Sequence, residues 1–244
     1  MRALSAAELL SVWERGQSQP PVEKALALLT FACDGTPPEE LALWSIGRRD
    51  DHLLTLREWA FGPRLQSIAD CPACAARLEL EFGVADIRVV PADSAVKELT
   101  LSVAGHEIHF RLPNSADLAG LSATEDTAAN QLRLIERCVL SARRDEREVR
   151  ADDLPAQVVS ALAQRMAEAD PQADVQLTLR CPACRHAWKA AFDIVSFFWS
   201  EISAWATRLL REIHLLASAY GWSEAEILAL SPRRRQAYLE MAGA

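Results

Sequence analysis

One cysteine motif occurs twice in this chain. The tetrapeptide CPAC spans residues 71–74 and returns at residues 181–184, with about 106 residues between the two copies. Two thiolates separated by two residues can hold one side of a tetrahedral ion, and a second pair completes a closed site. The sequence therefore predicts one structural Zn²⁺ held by four cysteines, Cys71, Cys74, Cys181 and Cys184.

Two other interpretations of the cysteine pairs stay open. The pairs could be reduced thiols without a metal, or the motif could belong to a dithiol oxidoreductase, in which it opens a helix that lowers the pKa of the first thiol. Residues 78–82 alternate apolar and charged side chains, which predicts a strand after the first pair. This pattern favours a metal-binding knuckle.

The residues around the pairs bear on the charge and composition of the site. Four thiolates on Zn²⁺ leave a charge of about −2, which Arg77, Arg180 and Arg185 lie close enough in sequence to offset. His186 follows Cys184 by two positions and is the one competing ligand; we expect it beside the metal site or on the surface. Cys33 and Cys138 stand in apolar surroundings and are predicted to be buried core thiols.

The composition of the 244 residues excludes several classes of function. Half are hydrophobic, a quarter are charged, and the formal charge of −8 argues against a general nucleic-acid binder, despite the basic run 233–235. No uninterrupted apolar stretch predicts a membrane span or a secretory signal, so we expect a soluble, cytoplasmic protein in which paired cysteines bind metal and do not form disulfides. No phosphate loop, no nucleophile elbow and no acid pair at a catalytic spacing is present, so we expect no enzyme.

The periodicity predicts an α+β fold that is mainly helical. Two knuckle hairpins form a zinc-ribbon-like four-cysteine module, and a small β hairpin is inserted between them. The predicted elements are a hairpin over residues 99–103 and 108–112, helices over 125–142 and 155–169, a charged loop over 143–153, and a long helix over 193–220 that ends at Gly221.

Three regions follow along the chain. We predict an N-terminal helical region over residues 1–65, the zinc-ribbon-like module over residues 66–192, and a C-terminal long helix with a short helical cap over residues 193–244. The module contains an inserted α/β subdomain over about residues 84–174.

The segment after Gly221 is a candidate partner surface. Aromatic and arginine side chains are the usual anchors of protein interfaces, and this short segment is rich in both. The alternative is that the segment is a cap on the chain's own long helix. The predicted partner-binding residues are Trp222, Leu230, Arg233, Arg234 and Tyr238.

Three stretches together resemble a known family. They are IGRRD (46–50) continuing through FGPRL (61–65) to the first cysteine pair, RLPNSADL (111–118), and the second cysteine pair continuing through FDI (192–194) to AYGWSE (219–224). Their order is similar to that in T-even-type phage baseplate proteins, including baseplate-hub assembly chaperones, of contractile tails and injection systems. Many such knuckles carry Gly directly after the second cysteine, where this chain has Ala75 and Arg185.

The resemblance implies a function in assembly. The protein would build or form part of a baseplate, contact other baseplate or tail proteins of the same particle, and bind neither nucleic acid nor membrane. It would be made in the cytoplasm and either join the particle or leave after assembly. The rival classes are a free-standing zinc-ribbon adaptor between proteins and the CxxC dithiol oxidoreductase.

Overall fold

A computed structural model describes residues 1–89, 98–121, 126–145 and 147–243. The helices are α1 (Ala6–Gly16), α2 (Pro21–Ala32), α3 (Pro38–Ala42), α4 (Ile46–Phe61), α5 (Val84–Ile87), α6 (Ser115–Ala119), α7 (Thr127–Cys138), α8 (Ala156–Ala169), α9 (Ile194–Tyr220), α10 (Glu224–Leu228) and α11 (Pro232–Ala242). The strands are β1 (Arg64–Asp70), β2 (Arg77–Gly83), β3 (Leu99–Val103), β4 (His106–Phe110), β5 (Val139–Arg144), β6 (Arg147–Glu148), β7 (Gln176–Arg180) and β8 (Ala187–Ala191).

Residues 1–34 and 195–244 form one compact unit, which is helical. Ser5 caps α1, because its side chain accepts from the Glu8 backbone N–H while the Glu8 carboxylate accepts from the Ser5 N–H. The apolar stripe of α9 packs against α10 and α11 through five buried side chains, Leu209, Ile213, Leu216, Ile227 and Leu239. The two short helices therefore contribute to the core of this unit.

Residues 35–194 form the second unit, which contains the described strands. β3, β4, β5 and β6 make one antiparallel sheet in that order, and α7 and α8 cover it. Side chains from the sheet and the two helices build one buried core, which includes Ile108, Phe110, Ile135, Cys138, Val158 and Leu162. Cys138 is thus the buried core thiol that the sequence predicted.

Two further hairpins of the second unit carry the cysteine pairs. β1 pairs with β2, and β7 pairs with β8, both antiparallel. The last pair before the turn joins Asp70 to Arg77 in the first hairpin and Arg180 to Ala187 in the second. The registers are equivalent, so each tetrapeptide occupies the same position in its hairpin, as the knuckle prediction requires.

The structure confirms the mixed fold and most predicted elements, and corrects three. The hairpin is present, but its second strand is His106–Phe110 and not the predicted 108–112, because the turn takes up only Ala104 and Gly105. The helix after residue 155 and the long helix to Tyr220 are present, and Gly221 has a positive φ of 69°. The predicted helix over residues 125–142 is wrong beyond Cys138, because Val139–Arg144 forms β5 along the free edge of β4. Residue 125 lies outside the described residues.

The predicted loop over residues 143–153 is also partly wrong. Arg143 and Arg144 pair with β6, so this charged segment begins as a small hairpin and continues into a 3₁₀ turn, Ala151–Asp153; residue 146 lies outside the described part. The division into regions 1–65, 66–192 and 193–244 runs along the sequence and stays a prediction. Within the described residues, we find no helix with the length and apolar character that a bilayer crossing requires.

Candidate metal centre

The four cysteines of the two tetrapeptides come together at one point. The thiol sulfurs of Cys71, Cys74, Cys181 and Cys184 all lie within 4.8 Å of one another. The closest approaches join the two hairpins, because the Cys71 and Cys184 sulfurs are 3.7 Å apart and the Cys74 and Cys181 sulfurs are 3.6 Å apart. About 106 residues of chain thus separate two halves of a single cluster.

These distances fit a tetrahedral metal site. With metal–sulfur bonds of about 2.3 Å, as in zinc sites, the sulfur–sulfur edges of a tetrahedron are about 3.8 Å long. A disulfide would need sulfurs about 2.05 Å apart, and all four cysteines are free thiols. The thiol set can therefore hold one metal ion, and its spacing does not suit two disulfides.

Both tetrapeptides turn in the same way. The Cys71 carbonyl accepts from the Ala75 N–H at 2.8 Å, and the Cys71 N–H donates to the Ala76 carbonyl at 2.9 Å. In the second copy the Cys181 carbonyl and N–H make the same two bonds, to the Arg185 N–H and the His186 carbonyl, both at 2.9 Å. The backbone N–H and carbonyl of the first cysteine thus make both hydrogen bonds that close each turn.

The residue after each second cysteine adopts the left-handed backbone conformation, although neither residue is glycine. Ala75 has φ of 57° and Arg185 has φ of 64°, a region in which a side chain costs about 1–2 kcal/mol. The turn that usually carries glycine is therefore kept, and a metal ion that holds both cysteines of the pair would offset its strain.

Burial divides the cluster into an inner and an outer half. Cys71 and Cys181 are buried, and Leu78, Leu80 and Trp188 pack with them, whereas Cys74 and Cys184 are exposed. At the far end of the hairpins, Phe82 and Phe192 meet edge to face with ring centroids 5.7 Å apart. Apolar contacts between equivalent positions thus align the two hairpins behind the thiols.

The thiols interact electrostatically. The backbone N–H of Cys184 lowers the pKa of Cys181 to about 7, because it stabilises the thiolate. The Ala76 N–H acts in the same direction on Cys74, but its neighbouring thiols, first that of Cys184, raise the pKa of Cys74 to about 12. Four thiolates this close repel one another, so full ionisation of the cluster needs a cation among them.

The other residues considered from the sequence lie around the cluster. His186 is exposed and its ring stacks on Trp188 with centroids 6.0 Å apart, while the metal-competent cluster found in the described residues holds cysteines alone. Arg77 donates to Asp70 at 3.3 Å across its hairpin, and Arg180 and Arg185 are exposed.

Sequence reasoning missed the residue that closes the inserted segment. Gln172 lies just before β7 and is 3% exposed. Its side-chain oxygen accepts from the Val89 N–H at 2.7 Å, and its amide nitrogen donates to the Ile87 carbonyl at 3.4 Å, just after β2. The exit of the first hairpin is therefore held to the entrance of the second, and no local pattern reveals a partner 83 residues away.

A second buried contact fixes the helix that leads into β1. The Asp170 carboxylate accepts from the Gly47 N–H at 2.8 Å, in the first turn of α4. A Cβ on Gly47 would overlap the nearer Asp170 oxygen, so a larger residue there would displace the carboxylate. Burial raises the pKa of Asp170, although the Gly47 N–H opposes this. Asp170 and Gln172 together tie both hairpins to one framework.

The C-terminal residues lie on the helical unit. Trp222, Leu230 and Tyr238 are half-buried, and Arg233 and Arg234 are exposed. Trp222 and Tyr238 join Tyr220 in an aromatic group, with centroid distances of 4.7 to 5.8 Å. Cys33 is buried in the same unit, as predicted.

The fold and the thiol cluster define a mixed helical and β-strand protein with a ribbon-like candidate metal centre. The family model described as T4 bacteriophage base plate protein matches residues 8–199, and the chain belongs to this family, which confirms the resemblance seen in the sequence. No curated protein and no solved structure matched the chain significantly.

Proposed function

We propose that this protein is a structural or assembly protein of the baseplate of a contractile, phage-tail-like particle. Family membership over residues 8–199 is the observation that carries the proposal. The protein would act in the cytoplasm where particles are built and could remain in the finished particle, and its partners would be other baseplate or tail proteins. We expect no catalytic activity and no dependence on nucleic acid or membrane.

The metal would have a structural role. Cys71, Cys74, Cys181 and Cys184 would hold one Zn²⁺, and a closed four-thiolate site leaves no open position for water or substrate. When bound, the ion supplies folding free energy by joining two hairpins that are far apart in sequence. His186 is left outside the proposed ligand set, because its ring faces Trp188.

Two rival functions remain as alternatives. A dithiol oxidoreductase would place a helix directly after its motif, whereas here β2 and β8 follow the two tetrapeptides. A free-standing zinc-ribbon adaptor would have the same cluster but would not need the tail genes. The family match favours the baseplate function over the adaptor.

We further propose that the exposed part of the C-terminal segment contributes to partner binding. Arg233 and Arg234 offer charge at the start of α11, beside the half-buried Trp222, Leu230 and Tyr238. Removing the whole segment would not test this, since Ile227 and Leu239 belong to the core of the unit. Arg233→Ala with Arg234→Ala is the suitable variant, because both side chains are exposed.

Deletion of the gene from its native cluster tests the function. We expect few or no complete sheathed particles by electron microscopy, while immunoblots show that the other tail proteins are still made. Normal particle counts in the deletion strain would reject the proposal. Mass spectrometry of purified wild-type particles then distinguishes a component from an assembly factor, because only a component is found in them.

A further inference from the structure

One side of α9 is a continuous exposed stripe. Its central positions follow one another at alternating steps of four and three residues, so they form a seam along one side of the helix. These positions are Ser200, Ala204, Thr207, Arg211, His214 and Ser218, and all six are exposed. At 1.5 Å per residue the face is about 27 Å long. We refer to these six positions as the α9 outer face.

This face combines a groove with small side chains. Five residues line a shallow groove of about 520 Å³, which includes Leu210 and Leu215 on either side of the seam. Leu215 is 42% exposed, although it is a large apolar side chain. Alanine, serine and threonine along the seam would let the axis of a partner helix approach closely.

The fixed charge of the face is positive. Arg211 lies on it with the polar His214 ring beside it, Arg208 flanks it, and no acidic residue occupies its six positions. No ion pair engages these three side chains within the described residues. By contrast, Arg235 of the same unit reaches Glu212 at 3.2 Å, and Arg2 reaches Glu8 at 2.7 Å. A basic stripe thus stands open on a chain whose formal charge is −8.

We propose that the α9 outer face docks an amphipathic helix of another baseplate protein, one that carries carboxylates opposite Arg211 and His214 and small or apolar residues in the groove. A second copy of this chain is disfavoured, because two such faces would bring like charges together, which costs free energy. A carboxylate in this position would form charge-assisted hydrogen bonds to the arginine.

Complementation of the deletion strain tests the charge, and it rests on the proposed baseplate function. Arg211→Glu should lower the count of complete particles, since reversing a charge opposite a carboxylate weakens association by about tenfold or more. Arg211→Lys keeps the charge and should restore particles. Arg147→Glu is the matched control, because this exposed arginine of β6 belongs to the second unit and undergoes the same charge change.

Photo-cross-linking identifies the occupant. With benzoylphenylalanine in place of Leu215, illumination of assembling cells should join the groove to an acid-bearing helical segment of another tail protein. Full complementation by Arg211→Glu, or a cross-link to this chain itself or to no protein, would overturn the proposal. If the deletion leaves particle counts normal, the baseplate function fails, and the cross-link alone decides whether the face docks a helix.

Discussion

Removal of the second cysteine pair should abolish the link between the two hairpins. In the double variant Cys181→Ser with Cys184→Ser, the pair Cys71 and Cys74 can no longer be joined through a metal to residues more than 100 positions away. The magnitude follows from linkage between metal binding and folding. Cys74 and Cys181 are 107 residues apart, so the complete site exists in the folded chain and is lost on unfolding. An ion that binds only the folded state stabilises it by about 4.1 kcal/mol when the free ion is at 1,000 times its Kd.

That amount is a large share of the stability of a domain, which is typically about 5–15 kcal/mol. We therefore expect the wild-type protein to lose about 4 kcal/mol of unfolding free energy when a strong zinc chelator is added. Without chelator, the double variant should already have the lower unfolding free energy of the metal-free protein, and the chelator should not change it. Cys138→Ala is the matched control, because this thiol is buried in the same unit outside the cluster.

The assay is denaturant unfolding followed by circular dichroism, with and without chelator, for the three proteins. The control should keep the full chelator response, although its own stability falls by about 1 kcal/mol for the deleted sulfur. A wild-type response below about 1 kcal/mol, or an equal response in the double variant, would refute the argument that a metal bound by the four cysteines stabilises the fold.

Three other predictions can be checked separately. Gln172→Leu leaves the buried Ile87 carbonyl and the part-buried Val89 N–H without this partner, so we expect a loss of about 1–3 kcal/mol and weaker zinc retention in a competition titration; unchanged zinc affinity would contradict its positioning role. Burial raises the pKa of Asp50 to about 6, although Arg49 opposes this. The folded state then binds the proton more tightly than the unfolded state, so stability should fall by up to about 3 kcal/mol as pH rises from about 4 to 6, and Asp50→Asn should flatten this slope in pH-dependent unfolding. The zinc-loaded protein should not reduce insulin disulfides, since a closed site keeps its thiolates bound, and a rate comparable to that of a thioredoxin would favour the oxidoreductase.

Local patterns in the sequence were sufficient for the cysteine hairpins. The alternation of residues 78–82 and the repeated tetrapeptide predicted two knuckles, and the structure brings their four thiols within 4.8 Å of one another. The β5 strand was missed because Val139–Arg144 continues the apolar period of α7, and only the open edge of β4 decides in favour of a strand. A contact between distant segments outweighed local periodicity there.

The sequence also did not predict the contacts that hold the two cysteine hairpins in place. Gln172 bonds to residues 83 and 85 positions away, and Asp170 caps a helix 123 positions away, so no spacing in the sequence marks either residue. In the C-terminal segment the composition suggested an interface, but Ile227 and Leu239 are buried against α9. Composition alone could not distinguish core from surface in so short a segment.

Metal content tests the central claim most directly. The protein should be purified without added metal, and its zinc measured by plasma mass spectrometry alongside native mass spectrometry of the intact chain. The account predicts one zinc per chain, and its release when the four cluster cysteines are alkylated. Two zinc ions per chain, or a folded protein that contains none and gains no stability from zinc, would contradict a single shared four-cysteine site.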